Sequence, residues 1–153
     1  MAISVGDKAP AFELYSTRKE LVTLDSLKGK QVVLLFFPAA FTSTCTLELC
    51  TVRDSLTWYN QVNAEVFGIS TDMVYTLIKF KEEQHLNFEL LSDYNKEVSE
   101  RYESLYETFS FGMKGVSKRS AFVIDSSGII RYAEIVDKAG ELPDFEKIKA
   151  ALS

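Results

Sequence analysis

The chain has 153 residues, of which 46% are hydrophobic, with 11 Phe, 7 Tyr and 1 Trp. This length and this apolar content are typical of one domain with a full core, so we expect residues 1–153 to form a single domain. The net charge is −5 and the basic residues form no cluster, which argues against nucleic acid or an anionic membrane as a partner.

The start of the chain predicts neither a secretory signal nor a membrane span, because Asp7, Lys8 and Pro10 interrupt its apolar residues. We therefore expect a cytoplasmic protein. The two cysteines and the single histidine, His85, match no common zinc-site spacing. The sequence accordingly predicts no metal and no bound cofactor.

Strands and helices alternate along the first two thirds of the chain. The pattern predicts strands over 31–37, 65–70 and 89–91, and helices over 43–61, from a cap at Asp72 to about residue 85, and at about 95–103. The prediction of a helix over 43–61 is based on one apolar stripe. Its residues are spaced four and three apart in turn: Cys45, Leu49, Val52, Leu56 and Tyr59. Residues 105–117 are expected to be irregular.

The last third of the chain predicts a hairpin and a final helix. Two strands, over 120–125 and 129–136, are joined by a tight turn at 126–128. Pro143 is expected to occupy the first position of the last helix, as proline often does. The element order predicts an α/β protein with a central mixed sheet flanked by helices, which is the order of the thioredoxin-like fold.

Cys45 lies where the first buried strand gives way to a helix. Pro38 ends the apolar run, and Thr42, Ser43 and Thr44 are good helix-capping residues, so Cys45 falls in or beside the first helical turn. The unpaired N–H groups and the positive end of the helix dipole favour an anion there, and a thiolate is such an anion. The segment suits a reactive sulfur, although an isolated free cysteine is usually a small buried hydrophobe.

The spacing of Pro38, Thr42 and Cys45, with three and then two residues between them, resembles the active-site signature of the peroxiredoxins. The segment Cys-Thr-Leu-Glu-Leu-Cys-Thr-Val-Arg-Asp, at 45–54, is similar to that of the Q-type peroxiredoxins, also called bacterioferritin comigratory proteins. The run Phe-Pro-Ala-Ala-Phe-Thr, at 37–42, is closer to the alkyl hydroperoxide reductase E type.

The likeness extends well beyond this signature. Residues 5–12 resemble the usual start of the family, and residues 118–125 resemble the strand that carries its arginine. The similarity therefore covers roughly residues 3 to 136. It implies a thiol peroxidase that reduces hydrogen peroxide and organic hydroperoxides without metal, haem or flavin.

The resemblance also implies roles for single residues. Cys45 would attack a peroxide oxygen and become a sulfenic acid, and Thr42, on the same turn, would hydrogen-bond the sulfur and the substrate oxygen. Pro38, which has no N–H, would fix the loop and shield the thiolate from water. Arg119 would supply a fixed positive charge that favours the thiolate. The simpler alternatives are a helix cap for Thr42, a strand terminator for Pro38 and a surface charge for Arg119.

Cys50 follows Cys45 by five residues, which on a helix is an advance of about 7.5 Å and a turn of roughly 140°. A relaxed disulfide needs Cα atoms within about 7 Å, so a structural disulfide is disfavoured. If Cys50 attacks oxidised Cys45, the first helical turns must unwind. The resemblance implies that Cys50 does resolve Cys45 within one subunit; the alternative is a one-cysteine peroxidase with Cys50 as a bystander.

The implied partners are a peroxide and thioredoxin, or a similar protein reductant, with monomer and homodimer both open. Two alternatives use the same fold. A thiol–disulfide oxidoreductase is disfavoured because the chain has no Cys-x-x-Cys pair. A thioredoxin-like binding or chaperone module is disfavoured by the intact spacing of Pro38, Thr42 and Cys45.

Overall fold

A mixed sheet of seven strands forms the centre of the molecule, in a computed structural model that describes residues 3–152. In chain order the strands are β1 (Glu13–Ser16), β2 (Leu21–Thr23), β3 (Gln31–Phe36), β4 (Ala64–Ser70), β5 (Glu89–Ser92), β6 (Ser120–Ile124) and β7 (Ile130–Ile135). Their order across the sheet is β2-β1-β5-β4-β3-β6-β7. β4 runs parallel to β3 and β5, whereas β6 is antiparallel to β3 and β7.

Helices cover the sheet and connect its strands. Within residues 3–152 the α-helices are α1 (Ser43–Asp54), α2 (Leu56–Gln61), α3 (Val74–Gln84), α4 (Glu97–Arg101) and α5 (Phe145–Ala150). None of these helices has the length and apolar character needed to span a bilayer. The arrangement confirms the predicted fold class, an α/β protein with a central mixed sheet flanked by helices.

β3 is buried on both faces, and its side chains alternate between two cores. Val33 and Leu35 join the cluster that contains Cys45 of α1, whereas Val32 and Leu34 join the cluster on the other face. A strand buried on both sides is an unbroken apolar run in the sequence. For that reason the sequence predicts this strand to within one residue.

The helix predicted over 43–61 is in fact two helices. Ser55, with φ −110° and ψ 7°, ends α1 and separates it from α2. The apolar stripe is nevertheless correct, because Cys45, Val52 and Tyr59 are buried and Leu56 packs partly against the same cluster. A break of one residue leaves the periodicity intact, so the sequence pattern predicts the buried face but not the break.

Asp72 does not cap α3 as predicted. The residue at the N-cap is Met73, and its side chain makes no capping hydrogen bond. The Asp72 carboxylate instead accepts a hydrogen bond from the Ala40 N–H at 2.8 Å and one from the Ser70 hydroxyl at 2.7 Å. Asp72 therefore ties the end of β4 to the loop that follows β3.

Two other helices also start later than predicted. The last helix begins at Phe145 rather than at Pro143, because the Asp144 carboxylate caps it by accepting a hydrogen bond from the Lys147 N–H at 3.1 Å. The helix predicted at 95–103 is limited to α4, whose N-cap residue has a left-handed backbone. The irregular segment predicted at 105–117 is confirmed apart from a short 3₁₀ turn at Ser110–Gly112.

The hairpin of β1 and β2 is not evident in the sequence. These two strands have only four and three residues, and β2 lies at the edge of the sheet. Their pattern is partly inverted, because Ser16 is buried while the larger apolar side chains of Tyr15 and Leu21 are about half exposed. A prediction from apolar alternation therefore misses them.

Gly68 of β4 lies where α1 packs closely on the sheet. A Cβ atom placed on Gly68 would be 2.7 Å from Leu90 Cδ2, 3.2 Å from Phe37 Cε1 and 3.4 Å from Leu49 Cδ2. All three of these side chains are fully buried, so they have little space to move. The glycine thus allows the helix that carries Cys45 to approach the sheet.

We therefore expect Gly68→Ala to lower the free energy of unfolding by about 1–3 kcal/mol, the usual cost of overpacking a core. Urea denaturation measures this loss. The matched control is Gly140→Ala, because nothing lies within 4 Å of a Cβ at Gly140; its effect should stay within about 0.5 kcal/mol. Equal losses at the two positions would contradict the close packing at Gly68.

Candidate active site

Cys45 is the third residue of α1, and its side chain is 1% exposed. Thr42 has an extended backbone at the N-cap, and its carbonyl accepts the first helical hydrogen bond from the Thr46 N–H at 2.9 Å. The predicted place of Cys45 in the first turn is therefore confirmed. The N–H groups at this end have no intrahelical partner, and the helix dipole favours a negative sulfur.

The loop before α1, residues 38–42, is held by the sheet and by its neighbours. Pro38 is buried at the end of β3. The Ala40 N–H donates to the Asp72 carboxylate at 2.8 Å. Phe41 has a φ of 65°, a left-handed value that is strained for a bulky residue. Its half-exposed ring lies 5.2 Å from the ring of Phe80. These contacts fix the position of the loop that leads into α1 and Cys45.

The Thr42 hydroxyl takes a different partner from the predicted one. It donates to the Ala39 carbonyl at 2.7 Å, and the side chain is exposed. In the part of the chain that the structure describes, no hydrogen bond joins this hydroxyl to Cys45 Sγ or caps the helix. Contact with the sulfur would require rotation of the Thr42 side chain.

Arg119 lies just before β6 and is 1% exposed. Its Nη2 is 3.4 Å from Cys45 Sγ, and its Nη1 donates to Glu48 Oε1 at 2.6 Å. Nε and Nη2 also donate to the Ala139 carbonyl, at 3.2 Å and 2.7 Å. Arg119 is therefore an interior cation directed at the sulfur, and the alternative of a surface charge is wrong.

Glu48 is a site residue that the sequence analysis does not single out. Its side chain is completely buried, and within residues 3–152 its second oxygen, Oε2, has no hydrogen-bond partner. Burial raises the pKa of Glu48 to about 7, although the charge of Arg119 and the hydrogen bond from it act in the opposite direction. Its position three residues after Cys45, on the same helical face, is a sequence signal that it lies near the sulfur, although this spacing does not show that it is buried.

The cation of the site is thus shared by two acidic groups. Burial lowers the pKa of Arg119, but the negative charges of Glu48 and Cys45 outweigh burial and raise it overall. The guanidinium therefore stays charged. Among the described residues, no three His, Cys, Asp or Glu side chains are grouped as metal ligands would be.

The structure does not bring Cys50 to Cys45. Both residues lie in the unbroken helix α1 and both are free thiols. Cys50 is only partly buried, and its Sγ donates to Gln84 Oε1 at 3.5 Å. A disulfide between the two cysteines therefore requires part of α1 to unwind.

The chain matches known proteins in sequence over most of its length. Residues 5–133 match the model of the AhpC/TSA family, and the chain therefore belongs to this family of peroxiredoxins. It is 41% identical over 132 residues to the putative peroxiredoxin bcp of Coxiella burnetii, across 85% of this chain and 87% of that protein. It is 38% identical over 130 residues to peroxiredoxin Bcp of Bacillus subtilis, across 84% of this chain and 82% of that protein.

Solved structures show the same fold. The chain aligns with the crystal structure of peroxidoxin BcpB from Mycobacterium tuberculosis at a TM-score of 0.82 and 32% identity, covering 96% of this chain and 93% of that one. A PrxQ mutant from Xylella fastidiosa aligns at a TM-score of 0.86 over 98% of both chains, and at 24% identity it shows the fold alone. The predicted thioredoxin-like fold and peroxiredoxin membership are confirmed, and the protein is a thiol peroxidase of this family.

The buried carboxyl of Glu48 makes stability depend on pH. Its pKa is 4.5 as an ordinary carboxyl and about 7 when folded, so the folded protein binds this proton more tightly than the unfolded chain. The stabilisation is full below about pH 4.5 and is lost as the pH rises through about 7. Glu48→Gln removes this titration and keeps the side-chain shape.

We expect the wild type to lose on the order of 2 kcal/mol more stability than Glu48→Gln over this pH range. Denaturant unfolding of both proteins at a series of pH values measures the difference, because all other groups titrate alike in the two. Parallel pH profiles would contradict a raised pKa of Glu48 in the folded protein.

Proposed function

We propose that this peroxiredoxin reduces hydrogen peroxide and organic hydroperoxides with Cys45 as the nucleophile. The contact of Cys45 Sγ with the buried guanidinium of Arg119, at 3.4 Å, carries this proposal. A fixed cation beside a sulfur favours its thiolate. The same cation stabilises the charge that develops on the peroxide oxygens as their bond breaks.

The first step is a displacement on oxygen. The Cys45 thiolate attacks one peroxide oxygen, the S–O bond forms, and the O–O bond breaks. The sulfur loses two electrons and becomes a sulfenic acid, while the leaving oxygen takes a proton and departs as water or an alcohol. Pro38, which is buried beside the site, keeps water from the sulfur. Thr42 turns its hydroxyl from Ala39 toward the bound peroxide.

In the second step Cys50 resolves the sulfenic acid. The Cys50 sulfur attacks Cys45, the S–S bond forms, and the sulfenic oxygen leaves as water after protonation. The free thiols and the length of α1 support a reduced state that must open before this bond can form. Because both sulfurs belong to one chain, the step needs no second subunit, and monomer and homodimer are equally compatible with it.

A dithiol protein, thioredoxin or a similar reductant, then restores the two thiols by disulfide exchange. Membership of the peroxiredoxin family supports such a partner. We place the enzyme in the cytoplasm, where reduced thiols are maintained, and we propose that residues 1–153 act as one catalytic domain.

Replacement of each cysteine tests these assignments. Cys45→Ser removes the nucleophile and should lower peroxide reduction by roughly 100-fold or more, since an alcohol does not replace a thiolate. Cys50→Ser should still consume one equivalent of peroxide but should lose sustained turnover with thioredoxin. Turnover is followed by NADPH oxidation with thioredoxin and thioredoxin reductase.

Normal cycling by Cys50→Ser would establish a one-cysteine peroxidase with Cys50 as a bystander. Retention of more than a few per cent of the rate by Cys45→Ser would overturn the assigned nucleophile. Circular dichroism and denaturant unfolding of both variants serve as the control for folding.

The role of Arg119 is tested in a background that avoids an unpaired buried charge. Removal of Arg119 alone would leave Glu48 without its partner and destabilise the fold, so Arg119→Met is combined with Glu48→Gln. We expect this double variant to reduce peroxide about 100-fold more slowly than Glu48→Gln alone, the usual cost of one charge-stabilising donor.

Arg119→Lys, also combined with Glu48→Gln, should react at a rate between that of Glu48→Gln alone and that of the Arg119→Met double variant. Lysine keeps the charge but lacks the planar set of donors. Stopped-flow measurement of the second-order rate constant with hydrogen peroxide separates these cases. Rates that match the Glu48→Gln reference in both Arg119 variants would show that the guanidinium has no part in the chemistry.

A further inference from the structure

The sulfur of Cys50 lies against the end of another helix. Cys50 Sγ donates to Gln84 Oε1 at 3.5 Å, and Gln84 is the last residue of α3. Arg53, three residues after Cys50 on α1, donates from Nη1 to the Gln84 carbonyl at 2.6 Å. Gln84 and Arg53 together form what we call the Cys50 cradle.

The guanidinium of Arg53 lies at the C-terminal end of α3. His85 follows Gln84 with a left-handed φ of 52°, which ends the helix. The last carbonyls of a helix lack intrahelical partners and carry the negative end of its dipole, so a cation is favoured there. The guanidinium of Arg53 therefore joins the two helices by a charge-assisted hydrogen bond.

A second contact holds the backbone of the same residue. The Asn87 side-chain amide donates to the Arg53 carbonyl at 3.2 Å. Arg53 is therefore bound both at its side chain and at its main chain, to α3 and to the loop after it. These contacts anchor the C-terminal half of α1, whereas Cys45 lies in its first turn.

Arg53 is charged where it meets α3. The hydrogen bond to Asp54 raises the pKa of Arg53, burial opposes that rise, and the negative charge of Cys50 adds to it. The charge strengthens the hydrogen bond to the Gln84 carbonyl, which holds α1 against α3 beside Cys50.

We propose that Arg53 is a positioning residue for the resolving step, acting on Cys50 through the cradle. It keeps the C-terminal half of α1 in place against α3, so the segment that carries oxidised Cys45 unwinds and moves to a stationary Cys50. This inference rests on the proposed disulfide between Cys45 and Cys50. In that bond-forming step the Cys50 thiolate attacks the sulfenic sulfur of Cys45, and the oxygen leaves as hydroxide that is protonated to water.

The test separates the two chemical steps in single-turnover experiments on the full chain. Reduced protein is mixed with one equivalent of hydrogen peroxide, samples are quenched with a thiol-alkylating reagent, and mass spectrometry counts the disulfide. Arg53→Met keeps much of the apolar stem and removes the charge, whereas Arg53→Lys keeps a charge. Lys79→Met is the matched control, because Lys79 is an exposed cation of α3.

We expect disulfide formation to slow about tenfold in Arg53→Met, because a Cys50 that is no longer held against α3 meets the oxidised sulfur less often in the reacting geometry. Arg53→Lys should recover most of that loss, and Lys79→Met should behave as the wild type. The preceding consumption of peroxide is the internal reference for a folded Cys45 pocket. Unchanged disulfide formation in Arg53→Met, or an equal slowing of both phases, would overturn the proposal.

Hydrogen exchange of the oxidised wild type gives an independent readout. Amides at 46–49 should exchange faster than in the reduced protein, because their acceptors lie in the unwound segment. The amides of Asp54 and Ser55, whose acceptors lie at or after Cys50, should stay protected. Loss of protection at Asp54 and Ser55 as well would contradict a stationary Cys50. If the wild type forms no Cys45–Cys50 disulfide at all, the proposed resolving step itself fails, a result distinct from an unaffected Arg53 variant.

Discussion

A guanidinium in a dry interior is strongly destabilising unless its nitrogens find acceptors. All three nitrogens of Arg119 do so, with the carboxylate of Glu48, the carbonyl of Ala139 and the sulfur of Cys45 as acceptors. One cation thus sits between two acidic groups that belong to the same face of α1. The position of the sulfur, the charge of the site and the protonation of Glu48 all depend on this contact between α1 and the start of β6.

The surroundings of Cys45 hold the reduced protein in one arrangement around the contact with Arg119. Cys45 is buried, its loop is held by Asp72, and α1 packs tightly above Gly68. In the proposed reaction these features hold the thiolate for its attack on peroxide, and they also keep it away from Cys50. The proposed oxidation would change the preferred structure: the oxidised sulfur no longer attracts Arg119 by its negative charge, and unwinding of the first turns becomes less unfavourable.

The elements that the sequence predicts well are those with one dominant signal. β3 is an uninterrupted apolar run, and the hairpin of β6 and β7 is marked by its turn, so both are found nearly at their true bounds. Helix ends depend on single capping contacts, such as that of Asp144, which apolar patterns do not contain. The β1–β2 hairpin is missed because its exposed residues are more apolar than some of its buried ones.

The residues of the site also differ in how much of their place in the site the sequence reveals. The strand–helix junction by itself draws attention to Cys45, whereas the roles predicted for Pro38 and Thr42 rest on a spacing that resembles the peroxiredoxin signature. Arg119 is 74 residues away from Cys45 in the chain and is identified only through the resemblance to a family. Glu48 escapes notice because a glutamate on an exposed helix face and one that is buried beside an arginine have the same sequence pattern. Only the packing of α1 on the sheet separates these cases.

The central claim is that Cys45, held beside Arg119, is the thiol that reacts with peroxide. Its most direct test is to treat the reduced wild type with less than one equivalent of hydrogen peroxide in the presence of a 1,3-diketone that traps sulfenic acids. Peptide mapping by mass spectrometry then locates the adduct. We predict an adduct on Cys45 alone. An adduct on Cys50, or peroxide consumption with neither an adduct nor a disulfide at Cys45, would contradict it.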